Sequence, residues 1–102
     1  MTMTERELQD AVLATAELLG WHHRYHTYTS KRSPAGFPDL VLIRGDRIIF
    51  AELKSDRGRV TVEQASWIDA LEVVAEATDF RVSVVVWRPL DWSTGMIELE
   101  LR

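Results

Sequence analysis

A chain of 102 residues with 46% hydrophobic content suffices for one compact domain, so a single domain over residues 1–102 is expected. It has no cysteine, which excludes a disulfide framework and a thiolate metal site and fits a reducing compartment. The formal net charge of −4 argues against a nucleic-acid partner until its distribution is read: residues 21–59 carry eight bases against four acids, and the remainder four bases against twelve acids.

No stretch approaches the roughly 18 consecutive apolar residues of a membrane span, and the N-terminus lacks a signal-peptide pattern. The expectation is a soluble intracellular protein without a membrane partner, cytoplasmic, or in the host cell cytoplasm if viral.

In chain order, "TERELQDAVLATAELLG" predicts an amphipathic helix. Thr4 and Glu7 form a capping box, Leu8, Ala11, Val12, Leu18 and Leu19 share a face, and Gly20 ends it. "WHHRYHTYT" alternates weakly, as a strand would, and "SKRSPAGFP" reads as an irregular loop. A hairpin follows: "DLVLIR", a Gly45-Asp46 turn, and "RIIFAELK". After the charged loop "SDRGRV", Thr61 and Gln64 repeat the capping pattern and open a helix running to about Ala77. "RVSVVVWR" is a β-branched strand stopped by Pro89, and "MIELELR" alternates like a final edge strand. The order is α-β-β-β-α-β, with one further strand in prospect. A right-handed crossover through the second helix makes this an α/β domain with a mixed sheet.

The hairpin is the informative element. A two-residue Gly45-Asp46 turn pairs 44 with 47 and 43 with 48, and so puts Asp39 opposite Glu52 where the strands open. Two carboxylates then share one face, which destabilises a sheet unless a cation sits between them. Lys54, two residues on, points to the same face. A slip of one residue would send Asp39 to the other face, and the apolar pattern does not decide, because both faces look buried. Two hard oxygen ligands with open positions suit Mg²⁺ or Mn²⁺ beside a substrate phosphate. Lys54 would add a point charge there or orient the attacking water.

Pro38-Asp39 followed after a dozen residues by Glu52-Leu53-Lys54 resembles the PD-(D/E)xK nuclease signature. The element order is similar to that restriction-endonuclease-like core. Within the superfamily the chain resembles the small stand-alone VRR-NUC domains, the virus-type replication-repair nucleases. Glu7, "GFPDL" at 36–40, "AELK" at 51–54 and "VTVEQASWIDAL" at 60–71 carry the likeness. It implies Asp39 and Glu52 as metal ligands, the Leu53 backbone carbonyl as a third, and Lys54 as catalytic. Gln64 matches the family's helix glutamine, and on the helical wheel it shares a face with Trp67, Leu71 and Val74. Its other reading is half of the Thr61 capping box. Glu7 is a further candidate ligand, with capping of Thr4 as its alternative role. One departure is "ATDFRV", where family members often have a glycine before the strand.

Arg57 and Arg59, just past Lys54, are the best-placed phosphate contacts, with Arg24, Lys31 and Arg32 beside Tyr25 and Tyr28 as further DNA-binding candidates. His22, His23 and His26 could hold zinc but lack a fourth ligand, and read better as solvated or DNA-facing. The expected activity is metal-dependent hydrolysis of DNA phosphodiesters on branched DNA, in the manner of a Holliday junction resolvase, a substrate class implied by the resemblance. The alternatives are a nuclease for flaps, single strands or duplex, and an inactive DNA-binding or assembly module. A homodimer is expected, because cutting both strands of a symmetric junction calls for two sites. Of four tryptophans, Trp67 is expected to pack inward with Leu71, leaving Trp87 and Trp92 as interface candidates.

Overall fold

The computed structural model describes residues 3–27 and 33–102; Tyr28, Lys31 and Arg32, with their expected DNA contacts, lie outside the described residues. Among the described residues eight elements follow one another: α1 (Glu5–Leu18), β1 (His23–His26), β2 (Leu40–Arg44), β3 (Arg47–Leu53), α2 (Val62–Ala77), β4 (Val82–Trp87), α3 (Pro89–Ser93) and α4 (Met96–Leu101). The four strands form one mixed sheet in the order β1-β2-β3-β4. β1, β2 and β3 are antiparallel neighbours, and β4 returns parallel to β3 after the α2 crossover.

Alternation along the strands sends Leu40, Leu42, Ile49, Ala51, Leu53 and Trp87 to one face, where they meet Leu8, Val12 and Ala16 of α1, Ile97 and Leu101 of α4, and Trp21. The opposite face carries Phe50 toward α2. There Phe37 stands edge-on to both Phe50 and Trp67, with ring centroids 6.3 and 5.1 Å apart. Only Ala75 of α2 is fully buried.

Three expectations are corrected. "MIELELR" is helical: Ile97 and Leu101, four residues apart, are wholly buried while Leu99 is exposed. A strand would have put all three on one side; the helix needs two, and its last carbonyls receive donors from Trp21 and Arg44. Pro89 does stop β4, but it also occupies the first turn of α3. Leu18 lies outside the buried stripe of α1, which runs Leu8, Val12, Ala16. Trp87 is buried, with Nε1 donating to Glu100 at 3.3 Å, and Trp92 packs against the core, so Trp87 leaves the set of interface candidates.

The basic segment is likewise divided. Arg44 and Arg47 lie 4.5 and 5.2 Å from the centroid of Trp21, and Arg44 donates to the carbonyls of Leu19, Leu101 and Arg102. Those two cations fasten the chain's C-terminal end and stand at the turn end of the hairpin, away from Asp39.

Where a glycine is common, α2 ends on two left-handed residues, Asp79 (φ 53°) and Phe80 (φ 61°). The Phe80 N–H donates to Ala75 and that of Asp79 to Glu76, the paired bonds of a Schellman ending. A left-handed Asp costs free energy that glycine does not. Asp79→Gly is therefore expected to raise unfolding stability by about 0.5–1 kcal/mol in a thermal or urea melt.

Candidate active site

The hairpin has the register expected of its turn: Arg44 pairs with Arg47 and Leu40 with Ala51, so the next step brings Asp39 opposite Glu52. Both β1 and β3 hold this end in place. The Thr27 N–H donates to the Asp39 carbonyl at 2.8 Å, and its hydroxyl to the Pro38 carbonyl at 2.7 Å. The Leu53 N–H donates to Asp39 Oδ2 at 2.8 Å, so the Asp39 carboxylate is oriented by the strand that carries Glu52.

Glu52 points to the α2 side of the sheet and is 2% exposed. Its Oε1 accepts from Gln64 Nε2 at 2.8 Å; Oε2 is buried with no hydrogen-bond partner. A buried carboxylate oxygen left unpaired is costly, and the protein responds by holding a proton. Burial first, and the Asp39 carboxylate second, push Glu52 up to about 8, while Lys54 pulls the other way. The site wants positive charge between the two carboxylates.

Gln64 resolves its two readings by serving both. Its Oε1 accepts from the Thr61 N–H at 2.9 Å, the Thr61 hydroxyl accepts from the Gln64 N–H at 3.1 Å, and the amide nitrogen is left for Glu52. Gly36 brings the "GFPDL" loop onto the same helix turn. At φ +85°, a Cβ there would come within 2.4–2.6 Å of Glu63 and Gln64 backbone atoms, so only glycine permits the approach.

On the α1 side Asp39 and Leu53 line an open cleft of about 450 Å³. The helix contributes Glu5, Arg6, Gln9 and Asp10, and β1 contributes His26. Glu7 is engaged in its capping box, Oε1 accepting from the Thr4 N–H at 3.0 Å and its own N–H donating to the Thr4 hydroxyl at 3.1 Å. The carboxylate of the first turn that lines the cleft is Glu5, whose charge also reaches Glu52. Nothing in the sequence marks Glu5 as a cleft residue, since a carboxylate in a helix's first turn is also ordinary dipole compensation. The sequence shows His26 only as one of three histidines, although the pairing of His26 with Leu40 sets it beside Asp39.

Among the described residues no group of three or more His, Asp or Glu side chains is gathered to hold a metal ion, so the histidines form no zinc site there. The Asp39–Glu52 pair would need a backbone carbonyl to complete a ligand set. Of the cations, Arg24 is drawn back onto its own chain, donating to the Trp21 carbonyl at 2.7 Å and lying 3.9 Å from Glu17. Arg57 and Arg59 are exposed.

The Glu52 environment has a stability consequence. In chelator the folded state keeps a proton up to about pH 8 that the unfolded chain releases near 4.5. Between those values the native state binds more protons, so raising the pH destabilises it, by about 1.4 kcal/mol per pH unit at most. Glu52→Gln mimics the protonated acid. The variant is expected to match the wild type near pH 5 and exceed it progressively toward pH 8 in paired thermal melts; parallel curves would mean that Glu52 ionises normally. Taking the difference removes the similar but separate contribution of Glu100, which burial also raises.

No family model and no curated protein sequence matches the chain. Among solved structures, that of Archaeoglobus fulgidus Hjc, a Holliday junction resolvase from an archaeal hyperthermophile, is similar over 83% of this chain, with a TM-score of 0.45 and 18% identity. The chain spans 65% of that protein's length.

Proposed function

We propose that the chain is a divalent-metal-dependent DNA endonuclease built on a PD-(D/E)xK core, acting on branched DNA. The observation that carries the reading is the buried Glu52, one of whose oxygens has no hydrogen-bond partner, beside the carboxylate of Asp39, which lines an open cleft. A hard cation satisfies that oxygen and removes the repulsion, so the residues fit Mg²⁺ or Mn²⁺, with Asp39, Glu52 and the Leu53 carbonyl as ligands. Such an ion, when bound, supplies a Lewis acid for the phosphate and lowers the pKa of water.

The chain's own groups do the rest. The Leu53 N–H holds the Asp39 carboxylate in place, and Gln64 occupies one Glu52 oxygen and leaves the other for a cation. Lys54, whose N–H is anchored to the Trp87 carbonyl at 3.0 Å, would hold the scissile phosphate or orient the water that attacks it. Arg57 and Arg59 would bind flanking phosphates. An inactive DNA-binding module is the weaker reading: without a cation to bind, this carboxylate is a pure cost that glutamine would remove. Choice of branched DNA over flaps, single strands or duplex rests on the likeness of the motifs to stand-alone VRR-NUC domains.

Labelled junction, flap, single-stranded and duplex DNA, each with Mg²⁺, Mn²⁺ or chelator, test the activity. Cleavage should need the metal, favour the junction, and drop by about 10²-fold or more in Asp39→Asn, Glu52→Gln and Lys54→Ala. Undiminished cleavage in excess chelator would defeat the mechanism.

The working unit is proposed to be a homodimer. α2 is apolar around much of its circumference yet leaves Val62, Val73 and Val74 exposed, as a helix covered by another chain would. Sedimentation at micromolar protein should give about twice the 11.7 kDa chain mass; a monomer that still cuts both strands of a junction would contradict it.

A further inference from the structure

Past Lys54 the chain must reverse toward α2, and the reversal is gripped from outside by the segment that follows β4. Arg88 is half-buried, and its Nη1 donates to the carbonyls of Ser55 at 2.6 Å and Gly58 at 2.7 Å. The Gly58 N–H donates to the same Ser55 carbonyl at 3.1 Å, closing the turn. Arg88 is itself fixed, its backbone N–H donating to Asp91 Oδ2 at 2.8 Å, and the Leu90 N–H holds Asp56 Oδ1 at 3.0 Å.

The closed turn lies against Lys54. A Cβ built on Gly58 would stand 3.5 Å from Lys54 Cδ and 2.9 Å from Ser55 Oγ, so the turn forms a wall beside the lysine stem. The same turn carries Arg57. A guanidinium suits this work because it presents several donors in a fixed plane and so ties two carbonyls of the turn together.

We propose that Arg88 is a positioning residue of the nuclease site, a role that rests on the reading above. By closing the 55–58 turn it sets where the Lys54 ammonium stands beside the Asp39–Glu52 pair and presents Arg57 to DNA. It touches neither substrate nor metal, so its removal leaves metal binding alone.

The test is a double-mutant cycle on full-length protein, with Arg88→Ala, Arg57→Ala and the pair. The measurements are single-turnover cleavage with Mn²⁺, DNA affinity in chelator, and the rise in melting temperature on adding Mn²⁺. Arg88→Ala is expected to slow cleavage about tenfold and weaken DNA binding about fivefold while keeping the Mn²⁺-induced rise. The double variant should bind DNA no more weakly than the worse single variant, since Arg57 is already misplaced without Arg88. Multiplicative losses, or loss of the Mn²⁺ effect, would reduce Arg88 to general stability and overturn the role. If Arg88→Ala does not fold, Arg88→Gln, which keeps one donor, is judged by the same criteria. Active wild type with an unaffected Arg88 variant overturns this role alone; wild type inert on every DNA overturns the nuclease reading with it.

Discussion

Two carboxylates meet where β2 and β3 open because a two-residue turn fixes the strand register from the far end. After Arg44–Arg47 every pair from Ile43–Ile48 to Leu40–Ala51 is apolar, and the next step is Asp39 and Glu52. Sliding the pairing by one residue would turn every core side chain of the hairpin to the wrong face. The repulsion at the open end is thus imposed by packing elsewhere and cannot relax by slippage.

Three surrounding pieces prevent it from relaxing in other ways. Thr27, just past β1, pins the Pro38-Asp39 backbone, α2 reaches down with Gln64, and the loop at Gly36 locks onto the first turn of that helix. A side-chain rotation that took Glu52 to water would have to break the Gln64 bond and leave the space beneath α2. The arrangement is stiff because each restraint comes from a different element.

Much of this was legible in the sequence. Turn chemistry at Gly45-Asp46 gave the register, and the Thr-x-x-Gln pattern gave the start of α2, because both signals act within four residues. What escaped reading depended on distant partners. "MIELELR" carries a period of two, but burial of Ile97 and Leu101 against α1 and Trp21 selects the helix. The basic run looked like a single DNA-facing surface until Trp21 and the C-terminal carbonyls claimed Arg44 and Arg47. Spacing from Thr4 marks Glu7 as a cap, but that Glu5 borders the cleft follows from the packing of α1.

The threonine-led capping boxes of α1 and α2 differ in one heavy atom. α1 is closed by Thr4 with Glu7, α2 by Thr61 with Gln64. A carboxylate closes such a box as well as an amide does and is favoured further by the positive end of the helix. At position 64, however, one end of the side chain must accept from Thr61 while the other must give a hydrogen to Glu52. An amide has an acceptor and a donor on the same carbon, whereas an ionised carboxylate only accepts, and the bond to Thr61 leaves the amide no freedom to exchange its two ends. Fraying of the first turn of α2 would therefore release Glu52 at the same moment, so the helix end and the acidic pair share a single local opening event.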